Sequence, residues 1–230
     1  MVMTGTTPKA TIVLSVPLKS NMPPYLIFDF DGVIGDTWEC VIASHLKYGS
    51  QASRAEAITG MNLYFNSKPN HTRGHTKTPE QMAATTKWTS EFGSIMHELG
   101  FELFTEFVQI IERIPTSYKA IVSSGSQKYV VPALANTAIR PTHILAFEDH
   151  HSKEDKIEAI CRDWAVDVAE VYYITDSLAD VYELENFVTP GKLLGVAWGF
   201  SGKENLLRKL PSEYIVDTPT DFTRHFTTMI

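Results

Sequence analysis

The chain has 230 residues, a formal net charge of -7, 43% hydrophobic residues and 20% charged residues. This composition is close to the average for globular proteins and excludes the disordered and fibrous classes. The net negative charge and the lack of a long lysine or arginine run argue against a nucleic-acid polymer or a membrane surface as partner. Cys40 and Cys161 are far apart and lack metal-ligand spacing, so we expect neither a disulfide framework nor a zinc site.

The N-terminal segment, residues 1–24, contains one short apolar run at residues 11–16. This run is too short for the hydrophobic region of a signal peptide and far too short to span a bilayer. We therefore expect a cytoplasmic protein. The role of this segment is open, with a disordered arm, an extra strand and a contact between subunits as alternatives.

Five short apolar runs predict buried strands. The first ends abruptly at Asp29, as a parallel strand does where it gives way to a loop. Between the later runs, apolar residues recur at helical spacing, so strands alternate with helices from about residue 118 onward. This alternation predicts a three-layer α/β fold with a doubly wound, mainly parallel sheet. The runs are residues 25–28, 120–122, 143–146, 171–174 and 193–197.

One long interval breaks this alternation, because it shows helical periodicity with little strand signal. Within it, Thr78 is a predicted N-cap, followed by Pro79 at the first helical position and by Gln81 three residues after the cap. Gly100 is a candidate for the end of that helix or of the next one. The predicted organisation is an N-terminal segment (1–24), a core domain (25–36 and 116–230) and a helical insert (37–115).

Four aspartates follow two of the predicted strands. Asp29 and Asp31 end the first strand, and Asp176 and Asp180 follow the strand at residues 171–174. The carboxyl ends of neighbouring parallel strands converge on one crevice, so these carboxylates are expected to share a site. Buried carboxylates are costly unless a cation compensates them, and oxygen ligands alone favour Mg²⁺ over zinc.

A strand that ends in Asp29 and Asp31, followed later by a strand that ends before Asp176 and Asp180, resembles the sequence pattern of the haloacid dehalogenase-like hydrolase superfamily. Its first motif, a strand followed by Asp-x-Asp-Gly, is matched by residues 29–32, and its second, a strand ending in serine or threonine, by Ser123. Residues 124–126 complete a small-residue turn into the next helix. The resemblance extends from residue 25 to about residue 200.

The two remaining motifs of the superfamily are matched with one departure and one ambiguity. For the lysine that precedes a helix, Lys153 fits the family's spacing better and Lys156 is the alternative. In the fourth motif, Gly-Asp-x-x-x-Asp, Thr175 stands in place of the glycine while Asp176 and Asp180 are kept.

The resemblance implies a role for each matched residue. Asp29 is the expected nucleophile, which forms an aspartyl-phosphate, and Asp31 the expected proton donor and acceptor. Ser123, Ser124 and Lys153 are expected to bind the substrate phosphate. The expected Mg²⁺ ligands are Asp29, Asp31, Asp176 and Asp180, among which we rank Asp176 above Asp180.

A helical cap between the first and second motifs occurs in one large class of this superfamily, and the insert has a suitable length. Such caps close over the site and contact the substrate. The polar insert residues that we select as candidate substrate contacts are His71, Arg73, His75 and Lys77.

The resemblance and the matched residues favour hydrolysis of a small phosphate monoester as the function. One alternative is a phosphosugar mutase, which transfers the phosphoryl group within a sugar phosphate. Another is a protein that binds metal and phosphate without turnover, for which the departure at Thr175 is the only indication. Neither the natural substrate nor the oligomeric state follows from the sequence.

Overall fold

The computed structural model describes residues 24–69 and 78–226. Its strands are β1 (Tyr25–Asp29), β2 (Gly35–Asp36), β3 (Glu102–Leu103), β4 (Lys119–Val122), β5 (His143–Leu145), β6 (Val171–Thr175), β7 (Leu193–Val196) and β8 (Ile215–Val216). Its α-helices are α1 (Trp38–Tyr48), α2 (Arg54–Phe65), α3 (Pro79–Leu99), α4 (Thr105–Arg113), α5 (Gln127–Leu134), α6 (Lys153–Trp164), α7 (Leu178–Leu184), α8 (Gly202–Leu206) and α9 (Pro219–Phe226). Among these residues, no helix has the length and apolarity that a membrane crossing requires.

Six strands form one parallel sheet in the order β5-β4-β1-β6-β7-β8. The strand β1 lies in the interior of the sheet, between β4 and β6, and its last residue, Asp29, pairs with Val122. The predicted α/β fold with a parallel sheet is confirmed, as are its five predicted strands. The edge strand β8 was not predicted, because two residues give no periodic signal.

Helices cover both faces of the sheet. Successive β1 side chains point to opposite faces, and both sets are apolar, so each face must be buried. Phe28 faces the layer that includes α4 and α9, where its ring lies 6.0 Å from that of Phe107 and 6.2 Å from that of Phe222. Ile27 faces the opposite layer, where it belongs to one buried cluster with Ile157 of α6. Both faces of β1 are therefore fully buried, which explains its uniformly apolar sequence.

The helical insert begins and ends at a short antiparallel ribbon formed by β2 and β3. Its longest helix, α3, begins with the predicted capping box, in which the Thr78 hydroxyl accepts from the Gln81 N–H and the Gln81 side chain accepts from the Thr78 N–H. Gly100, at φ +73°, ends this helix as predicted. The helices α1, α2 and α3 together form the part of the insert that we call the cap.

The helix α4 falls within the interval assigned to the insert, but it packs on the core. Its Phe107 is fully buried and lies 5.1 Å from the Phe222 ring and 5.0 Å from the Trp198 ring. Helical periodicity identifies such a helix but does not reveal which layer it joins. We therefore propose that the cap comprises α1 to α3 and that α4 belongs to the core.

The cap contacts the core on two sides of the first motif. On one side, Gly93 of α3 approaches Ser126 so closely that a Cβ on this glycine would lie 2.5 Å from the serine Cβ. On the other side, the hydroxyls of Ser177 and Ser201 donate to the carbonyl oxygen of Phe65 at 3.3 and 3.2 Å. These contacts hold the cap over the carboxyl edge of the sheet.

Candidate active site

A buried ion triad lies at the carboxyl end of β1. The Lys153 Nζ lies 2.6 Å from Asp29 Oδ2 and 2.6 Å from Asp180 Oδ2. The other Asp29 oxygen, Oδ1, accepts from the Phe30 N–H at 2.8 Å. Lys153 reaches this position because it opens α6, whose N-cap Ser152 accepts from the Asp155 N–H. The fold thus brings together three of the predicted site residues.

The charges of this triad depend on one another. Burial lowers the pKa of Lys153, but the Asp180 and Asp29 carboxylates outweigh burial and hold that pKa well above its usual value. Burial raises the pKa of Asp180, but Lys153 and the hydrogen bonds outweigh burial and bring it below its usual value. Burial raises the pKa of Asp29 strongly; Lys153 opposes this rise and the neighbouring carboxylates add to it. A further positive charge near Asp29 would therefore favour its ionised form.

Asp180 is fixed by three donors on a single oxygen. In addition to Lys153, the Thr175 hydroxyl donates to Asp180 Oδ2 at 2.8 Å and the Tyr173 hydroxyl at 3.1 Å. The Thr175 hydroxyl also accepts from the Ser177 N–H at 3.0 Å. Thr175, the one departure from the fourth motif, thus supports Asp180 and the turn into α7.

Asp31 lies in a cluster of hydroxyl groups. Its Oδ1 accepts from the Thr37 hydroxyl at 2.8 Å, and its Oδ2 accepts from the hydroxyls of Ser123 at 3.1 Å and Tyr129 at 2.7 Å. Burial raises the pKa of Asp31, and these hydrogen bonds partly oppose the rise. Thr37 and Tyr129 were not predicted, because neither belongs to a motif.

Asp176 is buried, and its two carboxylate oxygens have different surroundings. Its Oδ2 accepts from the Phe200 N–H, whereas its Oδ1 is buried and has no hydrogen-bond partner among residues 24–69 and 78–226. Burial raises the pKa of this carboxyl to about 7. A Cβ on either Gly32, at φ +73°, or Gly199 would overlap the Asp176 side chain, so both loops need glycine here.

These observations test which carboxylates fit Mg²⁺. Across the described residues, no group of three or more His, Cys, Asp or Glu side chains is arranged to hold a metal ion. Of the four predicted carboxylate ligands, Asp31 accepts from hydroxyls and Asp180 from Lys153, and the set of four stays a prediction. Asp176 fits a metal best, since an unpaired buried carboxylate oxygen is costly without a cation. Mg²⁺ commonly takes one or two carboxylates, with waters and phosphate completing its shell.

The second motif places Ser123 and Ser124 at different depths. Ser123 is fully buried, and its hydroxyl accepts from the Gly125 N–H at 2.8 Å while donating to Asp31. Ser124 is exposed and lines the cavity described below. The lysine that sequence left as the alternative, Lys156, donates to the Ser123 carbonyl oxygen at 2.6 Å. Lys153, not Lys156, therefore contacts the carboxylate of Asp29.

A cavity of about 970 Å³ lies between the cap and these residues. Its core side includes Asp29, Asp31, Ser124, Lys153 and Asp180. Its cap side is formed by residues of α1, α2 and α3 and by the segment that follows α2. The insert residues selected from sequence, His71, Arg73, His75 and Lys77, lie outside the described residues.

Comparison with known proteins agrees with this architecture. A hydrolase from Pseudomonas syringae is 17% identical, with a TM-score of 0.64 over 90% of this chain and 99% of that chain. A predicted phosphoglycolate phosphatase from Haemophilus somnus is 15% identical, with a TM-score of 0.62 over 89% of this chain and 98% of that chain. A predicted phosphatase from Clostridium acetobutylicum is 16% identical, with a TM-score of 0.63 over 90% of this chain and 99% of that chain.

At these identities the solved structures establish the fold. Among curated protein sequences, none matches this chain. The model of one protein family, described as haloacid dehalogenase-like hydrolase, matches residues 26–183 and so includes both aspartate pairs, Ser123 and Lys153. This chain belongs to the haloacid dehalogenase-like hydrolase family.

Proposed function

We propose that this protein is a Mg²⁺-dependent phosphatase that hydrolyses a phosphate monoester through an aspartyl-phosphate on Asp29. One observation carries the proposal: the Asp29 carboxylate lines a cavity and is bound to Lys153. The nearby buried carboxylate of Asp176 acts electrostatically on Asp29, which favours a cation beside them. Phosphoryl transfer through an aspartyl-phosphate needs this combination of a carboxylate nucleophile and nearby positive charge.

In the first step, an Asp29 oxygen attacks phosphorus, and the bond between phosphorus and the ester oxygen breaks. The Phe30 N–H and the Lys153 ammonium hold the two Asp29 oxygens in place, which fixes the direction of attack. The shared ammonium also lies where negative charge collects around the transferred group. Asp180 keeps that ammonium in position from the opposite side.

Asp31 serves as the proton carrier in both steps. Its raised pKa favours a protonated fraction that donates to the leaving oxygen as the ester bond breaks. The resulting carboxylate then accepts a proton from the water that hydrolyses the aspartyl-phosphate. The hydroxyls of Thr37, Ser123 and Tyr129 hold Asp31 in one orientation throughout.

The remaining groups bind phosphate and metal. Ser124 lines the cavity at the turn after β4, where it suits a phosphate oxygen. The buried hydroxyl of Ser123 supports Asp31, so of the two serines Ser124 is the one we propose as a direct phosphate contact. Asp29 and Asp176 are the residues that would hold Mg²⁺. When bound, this ion supplies positive charge that keeps Asp29 ionised and offsets the charge of the phosphoryl group.

The alternative of a binding protein without turnover loses its only indication. The threonine in the fourth motif donates to Asp180 and accepts from the Ser177 N–H, so it contributes to the charged triad. The contact of Asp29 with Lys153 and the contact of Asp31 with Ser123 support turnover over binding alone.

Phosphate release from a panel of monoesters, with Mg²⁺ or with EDTA, tests the proposal. The parent is compared with Asp29→Asn and with the control Asp217→Asn, which makes the same change at an exposed carboxylate paired with Lys203. We expect Mg²⁺-dependent release in the parent and the control, and at least about a thousandfold less with Asp29→Asn. Equal release by folded Asp29→Asn would overturn the mechanism, and no release by the folded parent would overturn the function.

A further inference from the structure

The cap side of the cavity has two apolar walls. The α2 wall presents Met61, Leu63, Tyr64 and Phe65, and the α3 wall presents Trp88, Phe92 and Met96. Trp88 and Phe92 stack with ring centroids 4.9 Å apart, and the His45 ring lies 4.8 Å from Phe92. The Phe65 ring lies 4.8 Å from that of Phe200, which extends the apolar surface to the core.

Two of the apolar side chains that line the cavity remain exposed. Leu63 is 68% exposed and Trp88 37%, whereas the Tyr64 hydroxyl lies near the charges of Lys153 and Asp180, and burial raises its pKa. Large apolar side chains that line a cavity without being covered leave a hydrophobic surface for a ligand to bury. A purely structural role in the cap core would bury them, as it does Met61 and Met96.

The same walls carry little positive charge. Of the described residues on the cap side, Lys68 alone has a permanently charged cationic side chain, and it is exposed. Burial lowers the pKa of His45, which favours the neutral ring. The described part of these two walls therefore offers mainly apolar contacts to a ligand.

The size of the cavity suits a substrate larger than a two-carbon acid. Ligand cavities of about 300 to 1,000 Å³ bury most of a drug-sized molecule, and this one, at about 970 Å³, lies at the upper end of that range. A phosphorylated two-carbon acid would leave both apolar walls uncovered. Resting on the function proposed above, we infer that the substrate is a phosphate monoester with a bulky, mainly apolar leaving group, which packs between Leu63 and Trp88.

A series of primary alkyl esters tests this inference without changing the reactivity of the leaving group. Ethyl phosphate, 2-phenylethyl phosphate and 2-(2-naphthyl)ethyl phosphate release alcohols of similar acidity, so differences in kcat/KM report binding of the apolar group. We expect kcat/KM to rise along the series, by about a hundredfold or more from the ethyl to the naphthyl ester. Equal values for all three esters would overturn the inference while leaving the phosphatase function intact.

Two substitutions locate the preference in the walls. Trp88→Ala and Leu63→Ala are each expected to lower the ratio of kcat/KM between the naphthyl and ethyl esters about tenfold. The control, Leu207→Ala, removes a leucine that is 47% exposed and lies outside the cavity lining, so the ratio should stay as in the parent. An unchanged ratio in both wall variants would place the preference elsewhere and contradict the inference.

Binding separates this inference from the proposed function. Calorimetric titration of the parent with ethylphosphonate and with 2-(2-naphthyl)ethylphosphonate, in Mg²⁺, measures the size preference without turnover. We expect the naphthyl compound to bind at least about tenfold more tightly. If the parent hydrolyses no ester but binds the naphthyl compound more tightly, the phosphatase function is refuted while the preference for a bulky apolar ligand is supported. If the two phosphonates bind equally well, the inference is refuted.

Discussion

Two buried lysines on α6 offer a matched pair of substitutions. Lys153 is 2% exposed and lies between two carboxylates, whereas Lys156 is fully buried and its Nζ donates to the Ser123 carbonyl oxygen. Replacing each by methionine removes the charge and keeps most of the side-chain volume. Because the partners of the two lysines differ, we expect opposite effects on stability.

The expected magnitudes follow from these partners. Lys153→Met leaves the buried Asp29 and Asp180 without their cation, which costs about 3 to 5 kcal/mol when one partner of a buried ion pair is removed. For Lys156, burial lowers the pKa from 10.5 to about 8, which corresponds to roughly 3 kcal/mol of unfavourable charge burial near pH 7. Lys156→Met relieves that cost but takes away its donor from the buried Ser123 carbonyl oxygen, which costs about 1 to 3 kcal/mol. It should therefore be neutral or stabilising.

Urea unfolding at pH 7 in EDTA measures both free energies, and phosphate release in Mg²⁺ measures activity. We expect Lys153→Met to be destabilised and inactive, and Lys156→Met to retain stability and at least a tenth of the parent's kcat. Destabilisation of both variants by a similar amount would refute the charge-pair reasoning. Loss of activity with Lys156→Met alone would assign the motif lysine to position 156.

Three further predictions concern the residues around Asp29. Gly32→Ala should destabilise the protein by about 2 to 4 kcal/mol in urea unfolding, because the added Cβ would overlap Asp176 and the backbone is left-handed. The control Gly49→Ala, at φ +77° with open space around it, should cost only about 1 kcal/mol. Equal costs for the two variants would contradict the close approach of Gly32 to Asp176. Because burial raises the pKa of Asp176 to about 7, its contribution to the stability of the metal-free protein is present below about pH 4 and is lost as pH rises through about 7. The rise in Tm caused by Mg²⁺ should therefore grow between pH 5 and 8 and be lost in Asp176→Asn, and a rise independent of pH would refute this ligand. Tyr129→Phe removes a hydrogen bond that lowers the pKa of Asp31. The limb of the pH–rate profile set by Asp31 should therefore move to higher pH, and kcat/KM should fall about three- to tenfold. A limb that stays at the same pH would exclude Asp31 as the proton carrier.

The sequence predicted those strands and helix ends whose formation depends on neighbouring residues in the chain. Uniformly apolar runs ending in polar residues identified five parallel strands, because strands buried on both faces need such sequences. The N-terminus of α3 was predicted because Thr78 and Gln81 each accept from the other's backbone N–H and because proline suits the first helical position. The resemblance to the superfamily's motif spacing favoured Lys153 over Lys156, and Lys153 is the lysine that contacts Asp29.

What sequence reasoning missed depends on contacts between distant segments. Tyr129 binds Asp31 across 98 positions and shares no motif with it. The division among the carboxylates also has a tertiary cause: Asp180 turns toward Lys153, while Asp176 fits between Gly32 and Gly199. The packing of α4 on the core likewise depends on Phe222, which is far away in the chain.

Detection of the covalent intermediate tests the central claim most directly. The parent and Asp29→Asn are mixed with acetyl phosphate in Mg²⁺, quenched in acid within the first turnover and digested for mass spectrometry. The account predicts a phosphorylated peptide that contains Asp29 in the parent and no phosphorylation in Asp29→Asn. Phosphate release without any phosphorylated peptide, or a phosphoryl group carried at another residue, would contradict Asp29 as the nucleophile.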